Sequence, residues 1–325
     1  MDTLIDPSRM NAVKTALLAV FGQEMPESIS LLAGGYSSSQ MFQITVKDET
    51  YVLRVMDLDH PLSDRENQIA CARYGGQLSV APLYVYAHAE DGIILMEYLS
   101  KGDLPKTLIL EQMSLLLKRF HHSGPIPHMH QTVFSYLEGL MKSVETLHAT
   151  DEIVGFFQII RQAMSQLNKV RQLASCHNDL NINNMMNHHN RLTLVDFEAA
   201  GLEDPYYDVA TVCQQFCLTP EEEVRFLTDY LERAPTLFDL QKIALMKQVS
   251  YFYYASHFLQ FSYEQGVFET EAPVHTLEEW GAGIKSGDLK LETPSDFLSY
   301  ADAFMNEAAR QRKSPYFSEA FDKGL

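Results

Sequence analysis

Residues 176–184 read Cys176-His177-Asn178-Asp179-Leu180-Asn181-Ile182-Asn183-Asn184, and twelve residues past Asn184 begins the triplet Asp196-Phe197-Glu198. An acid, an amide five residues on, and a second acid closing an apolar run supply the oxygen groups that phosphoryl transfer requires. One carboxylate takes the proton of an acceptor hydroxyl, while an amide oxygen and a further carboxylate hold Mg2+ against nucleotide phosphates. Met185-Met186 and Leu192-Thr193-Leu194-Val195 flank the polar turn Asn187-His188-His189-Asn190, which predicts a β-hairpin. Such a hairpin puts Asn184 at the start of one strand and Asp196 at the end of the other, so that both can face one ion. The competing reading makes Asp179 and Asn184 turn residues bonding their own backbone. It suits either residue alone but not the whole string.

The pattern His-Asn-Asp-x-x-x-x-Asn followed by Val195-Asp196-Phe197-Glu198 resembles the choline/ethanolamine kinase branch of the aminoglycoside phosphotransferase superfamily. Members resemble protein kinases in fold and phosphorylate small molecules. The likeness continues through Gly201-Leu202-Glu203-Asp204-Pro205 and Asp208-Val209-Ala210, and can be followed with gaps from about Leu31 to about Tyr263. It implies Asp179 as the catalytic base, Asn184 and Asp196 as metal ligands, and Asp208 as a structural acid. It also implies ATP and Mg2+ as cofactors and an α+β, two-lobed, protein-kinase-like fold.

The N-terminal third carries strand signals. Gln43–Val46 and Tyr51–Val55 flank Lys47-Asp48-Glu49-Thr50, and Leu83–Tyr86 and Ile93–Met96 flank Glu90-Asp91-Gly92. Ser63 to Gly75 reads as a helix ended by Gly75-Gly76. From Leu104 onward helical periodicity dominates, and the polar Ser100-Lys101-Gly102-Asp103 is the expected join. The division is therefore a small β-rich nucleotide-binding lobe over 1–99 and a larger, mainly helical lobe over 100–325 for catalysis and the acceptor.

Within the small lobe, the Gly34-Gly35-Tyr36-Ser37-Ser38-Ser39 turn offers backbone N–H groups and hydroxyls to phosphate oxygens. Glycines Gly34 and Gly35 permit close approach, and Ser37, Ser38 and Ser39 supply the hydroxyls. Arg54 stands where relatives carry a strand Lys or Arg, and a guanidinium suits bidentate phosphate binding. Its usual partner, a helix Glu three residues after Arg65, is Gln68 here, which leaves Glu66 as the nearest carboxylate. Leu95-Met96-Glu97-Tyr98-Leu99 resembles the family hinge, whose backbone groups bond adenine; this assigns Glu97 and Leu99 to the nucleotide.

The chain has 325 residues and a formal net charge of -18. That charge disfavours nucleic acid as a partner and suits a cationic small molecule. Four cysteines form no disulfide framework, and the paired histidines lack zinc-site partners. No apolar run reaches the roughly 20 residues needed to span a bilayer, so no membrane insertion is expected, and nothing in the sequence places the protein outside a cytoplasm.

The acceptor side departs from the family. Ala199 replaces the Tyr after Asp-Phe-Glu, Gln215 replaces the Glu seven residues after Asp208, and no paired tryptophans occur. Candidate acceptor residues are Gln215, Tyr251, Tyr253 and Tyr254. Tyr251, Tyr254 and Phe258 share one helical face, and Tyr253 and His257 share another. The expected activity is an ATP-dependent kinase of a small, cationic amino alcohol. The alternatives are an aminoglycoside or other small-molecule phosphotransferase and, in a different class, a nucleotide-binding pseudokinase with a regulatory role.

Overall fold

The computed structural model describes residues 4–32, 39–100, 102, 104–126 and 132–325. Gly34, Gly35, Ser37 and Ser38 of the expected phosphate loop lie outside these residues. The elements are, in chain order, α1 (Met10–Phe21), β1 (Ser28–Leu31), β2 (Gln40–Val46), β3 (Glu49–Val55), α2 (Leu62–Gln77), β4 (Tyr84–His88), β5 (Ile93–Glu97), α3 (Lys106–His121), α4 (Val133–Leu147), α5 (Asp151–Asn168), β6 (Ala174–Cys176), β7 (Met185–His188), β8 (Arg191–Leu194) and β9 (Gly201–Glu203). Six helices follow among the described residues: α6 (Tyr206–Gln215), α7 (Pro220–Leu231), α8 (Leu237–Glu264), α9 (Leu277–Ser286), α10 (Pro294–Gln311) and α11 (Pro315–Lys323). The chain divides into two compact units, Met1–His130 with Ile182–Gly201, and Gln131–Asn181 with Leu202–Leu325.

The first unit is built on an antiparallel sheet of order β1-β2-β3-β5-β4. Its two faces follow the strand period of two. Phe42, Ile44, Val46, Leu53, Val55, Ile93 and Leu95 pack with Val13, Ala16 and Leu17 of α1. Val52, Ile94 and Met96 pack on the other face with Ile69 of α2. Arg54 lies between Val52 and Met56 in this alternation and so faces the α2 side. The β2–β3 connection is tighter than the sequence suggests: only Lys47 and Asp48 turn, both with positive φ, at 53° and 64°. Those angles match the two-residue hairpin turn that follows strand twist.

The β7–β8 hairpin forms as expected, with Met185 opposite Leu194 and His188 opposite Arg191. His189 and Asn190 make its turn with φ of 51° and 61°. It is fixed within the first unit by α3, whose Gln112 amide donates to the Asn190 carbonyl at 2.9 Å and accepts from the Leu192 N–H at 2.7 Å. The Leu194 N–H donates to the Val80 carbonyl at 2.8 Å.

Helix α2 does not stop at Gly75-Gly76 but runs to Gln77. The glycines serve packing instead. A Cβ added to Gly75 would lie 3.0 Å from both the Ala81 Cβ and the Phe197 ring. Phe197 is itself buried and meets Phe120 edge-on at 5.7 Å.

The second unit is mainly helical. The 28-residue α8 runs through it and packs against α4, α5, α6, α10 and α11. Thr236 and Asp239 cap α8 reciprocally, and Thr293 and Asp296 do the same for α10. Among the described residues no helix is long and apolar enough to cross a membrane. The free thiols of Cys71, Cys176 and Cys213 are buried, and Cys217 is exposed.

These contacts give opposite signs to two glycine substitutions. Gly75→Ala should destabilise the protein by about 1–3 kcal/mol through overpacking against Phe197. Gly139→Ala, where a Cβ in α4 meets nothing within 4 Å, should stabilise it by roughly 0.5–1 kcal/mol. Urea denaturation of the two variants checks both signs.

Candidate functional site

In the first unit, β3 delivers Arg54 to a polar cluster in which Arg54 and Gln68 are buried, Asp196 is half-buried and Glu198 is exposed. Arg54 is 5% exposed. Its Nη2 donates to Ser39 Oγ at 3.3 Å and to Glu198 Oε1 at 3.2 Å, and its Nη1 lies 3.8 Å from Asp196 Oδ1. The Gln68 side-chain oxygen, oriented to satisfy its surroundings, accepts from Nη1 at 2.7 Å and from Nη2 at 3.2 Å. Gln68 thus keeps the helix contact with Arg54 without the charge, and Glu198 provides the close ion pair. Glu66 is exposed on α2. Beside the cluster lies a cavity of about 200 Å³ whose lining includes Ser39, Asp57, Arg65, Gln68 and Glu198.

The same unit holds both expected metal ligands. Asn184 ends a 3-10 turn over Ile182–Asn184 and is 7% exposed; its carbonyl accepts from the Val195 N–H at 2.9 Å. That bond closes the open end of the hairpin and sets Asp196 one residue further on. Asp196 has φ +63°, a left-handed conformation uncommon for a side-chain-bearing residue. Its Oδ1 is buried with no hydrogen-bond partner. A buried carboxylate oxygen in that condition, on a strained residue beside an amide ligand, fits a hard divalent cation such as Mg2+. Of the hinge pair, Glu97 accepts from the Leu83 N–H through Oε1 at 2.9 Å, and Leu99 is buried.

In the second unit, the loop bearing Asp179 rests on Asp208. Asp208 is fully buried on α6; its Oδ2 accepts from the His177 N–H at 2.8 Å and its Oδ1 from the Asn178 N–H at 2.9 Å. Asn178 has φ +66°, so the acid stabilises a backbone turn that is locally costly. Asp179 follows, half-buried. Tyr254 donates to its Oδ1 at 3.0 Å and Asn181 to its Oδ2 at 3.0 Å. Glu203 and Asp204 anchor the surroundings: Glu203 accepts from Arg171 Nε at 2.7 Å and from the Val133 N–H at 2.9 Å, and Asp204 pairs with Lys242 at 2.7 Å.

Tyr253 and Tyr254 occupy neighbouring positions near Asp179, their rings edge to face at 5.5 Å. Burial, reinforced by the Asp179 charge, holds both phenols well above the usual tyrosine range. His257 lies over Tyr253 at 4.5 Å and stacks on Tyr136 at 5.5 Å. Its Nδ1 is 2.8 Å from the Tyr253 carbonyl, so that nitrogen carries the proton, and Nε2 accepts from the Tyr136 hydroxyl at 3.0 Å. Burial lowers the His257 pKa despite the Asp179 charge. Tyr251 is 3% exposed and faces the side of α8 where Glu307 and Glu223 exert their charge. Gln215 is half-buried at the end of α6. Nothing in the sequence spacing marks Tyr136 as a member of these clusters, whereas Glu198 stands in the Asp-Phe-Glu triplet and His257 shares the i, i+4 face of Tyr253.

A five-stranded antiparallel sheet followed by a mainly helical portion, with these two sets of acids, defines a protein-kinase-like small-molecule phosphotransferase scaffold. The profile of the APH phosphotransferase enzyme family matches residues 28–245, more than half of the chain, and the chain belongs to that family. It is 26% identical over 220 residues to the protein LicA of Haemophilus influenzae, covering 62% of this chain and 63% of that protein. A second LicA sequence is matched over 57% of its length, so the chain spans about three fifths of these curated relatives. A choline/ethanolamine kinase family protein from Mesorhizobium loti shares the fold with a TM-score of 0.66 at 17% identity, over 96% of this chain and 98% of that one. The aminoglycoside phosphotransferase APH(2")-IIa, in its ternary complex with streptomycin and ATP, has a TM-score of 0.54 at 18% identity, over 78% and 90% of the two chains.

The His257 environment has a pH consequence. The unfolded chain binds a proton near the ordinary value of 6.5, while the fold resists it. The unfolded state therefore gains protons first as pH falls below that value, and stability contributed by neutral His257 declines with it. Between pH 7.5 and pH 5.5, wild-type protein should lose more stability than His257→Gln in chemical denaturation. Equal losses would mean that His257 titrates normally in the fold.

Proposed function

We propose that this protein is an ATP-dependent kinase that transfers the γ-phosphate to the hydroxyl of a small cationic acceptor of the choline or ethanolamine type. The observation carrying this reading is Asp179, a half-buried carboxylate bonded by Tyr254, with Tyr253 and His257 close enough to feel its charge, on the loop that Asp208 anchors. An aromatic surround beside a carboxylate suits a substituted ammonium group, through cation–π attraction and charge. The strongly acidic chain favours a cationic substrate in the same direction.

Asp179 accepts the proton of the acceptor hydroxyl, or orients that hydroxyl for attack. Asn184 and Asp196 hold Mg2+ through oxygen atoms, and the ion supplies charge neutralisation of the nucleotide phosphates. Arg54, steadied by Gln68 and Glu198, contacts the phosphates as a planar, permanently charged donor. Ser39 contributes a phosphate contact, and the backbone around Glu97 and Leu99 contributes adenine contacts.

Ala199 and Gln215 stand where choline-kinase relatives have Tyr and Glu, which weakens an ordinary choline cage. Weak choline turnover, or a different cationic acceptor, follows. The fold shared with an aminoglycoside phosphotransferase supports an aminoglycoside as the second reading.

Incubating the protein with MgATP and a panel of choline, ethanolamine, related amino alcohols and kanamycin, with phosphate transfer as readout, tests the reading. Turnover of an amino alcohol supports it; turnover of kanamycin alone supports the second reading; no transfer to any of them contradicts both. Asp179→Asn should lower turnover on the order of 10²–10⁴-fold, the scale of a lost general base, with ATP affinity nearly unchanged. Asp196→Ala should abolish Mg2+-dependent nucleotide binding in calorimetry. Arg54→Lys should keep part of the activity, and Arg54→Met should not.

A further inference from the structure

We infer that Tyr254 is a positioning residue, clamping the Asp179 carboxylate together with Asn181 rather than forming a wall of the acceptor site. The inference rests on the proposed role of Asp179 and assigns α8 a part in the chemistry. Three observations carry it. The two donors reach different oxygens: Tyr254 Oη lies 3.0 Å from Oδ1 and Asn181 Nδ2 lies 3.0 Å from Oδ2. Two bonds to opposite oxygens of one carboxylate stop it turning about its last torsion, which is otherwise broad and soft.

The donor is also rigidly mounted. Tyr254 sits in mid-helix on α8, with its ring stacked on Phe304 at 5.6 Å and 15° and set edge-on to Tyr253 at 5.5 Å. A hydroxyl held on a packed ring in a long capped helix presents one geometry, whereas a loop side chain samples several. Thirdly, Tyr254 is only 9% exposed. It has little surface left for an acceptor, while Tyr253 and Tyr136 retain more. The burial that keeps the phenol protonated preserves it as a donor across the working range of pH.

A clamp and a wall differ in kinetics. A wall residue contributes to acceptor binding, so its loss raises KM. A clamp acts on the orientation of the base, so its loss lowers kcat. Tyr254→Phe keeps the ring and removes only the hydroxyl. It should lower kcat on the order of tenfold to a hundredfold, the scale of one hydrogen bond to a charged group. The Michaelis constants for ATP and acceptor should stay within about twofold. In an Asp179→Asn background the same change should cost no more than about twofold, because the group through which it acts is already disabled.

The experiment measures kcat and KM for wild type, Tyr254→Phe, Asp179→Asn and the double variant, with choline, ethanolamine and kanamycin as acceptors and MgATP as donor. Asn181→Ala is the second variant should Tyr254→Phe fold poorly, with the same kcat-only signature expected. Unchanged kcat, a raised acceptor KM at constant kcat, or an equal loss in the presence and absence of the Asp179 carboxylate would each overturn the clamp. Wild-type protein that phosphorylates none of the three acceptors would overturn the proposed function, and the clamp with it. Active wild type with an unaffected Tyr254→Phe would overturn the clamp alone.

Discussion

Two backbone N–H groups, those of His177 and Asn178, end on the two oxygens of one buried carboxylate, Asp208. Everything proposed for Asp179 depends on that interaction. The loop turns through a left-handed Asn178, a conformation it would leave if its N–H had no strong acceptor. A charge-assisted acceptor at a helix start is among the stronger hydrogen-bonding devices available, and α6 supplies it from a position with no accessible surface. The adjoining acids repeat the device. Glu203 fastens the start of α4 and the chain around Arg171, and Asp204 fastens Gln172 and Lys242. The carboxylates that bind backbone N–H groups here are the fully buried ones, whereas Asp179, bonded by two side chains, is only half-buried.

The hairpin was legible because its information is local. Two short apolar runs, a polar turn and terminal oxygen ligands lie within about twenty residues, and strand alternation does the rest. The placing of Asn184 and Asp196 at its ends was legible for the same reason. Gly75-Gly76 was misread since glycine ordinarily marks a helix end. Only the approach of Phe197, from far along the chain, shows that Gly75 makes room for a ring. Arg54 illustrates the same boundary. Its loss of a helix acid is visible at Gln68, but its actual partner, Glu198, is 144 residues away, and no spacing rule reaches that far.

The aromatic stripe of α8 was half legible. Helical period correctly separates the faces, yet it cannot say which face meets an acid. Tyr254 and Phe258 share a face with Tyr251, but the helix advances far enough between them for their surroundings to differ. Tyr254 meets Asp179, whereas Tyr251 lies among the residues of the α7 and α10 side. His257 gains its neutral tautomer from two partners, one on its own helix and one on α4. The hydrogen-bond pattern of an imidazole is a three-dimensional property, so a lone His in an apolar pattern carries no such message.

Gln68 changes the electrical character of the Arg54 cluster. One guanidinium with Asp196 and Glu198 leaves a single negative charge in that neighbourhood. A Glu at position 68 would leave two. The neutral amide thus leaves the guanidinium with two carboxylate neighbours rather than three, so that less of its charge is already cancelled by its own chain and more of it is felt by any other anion that comes near.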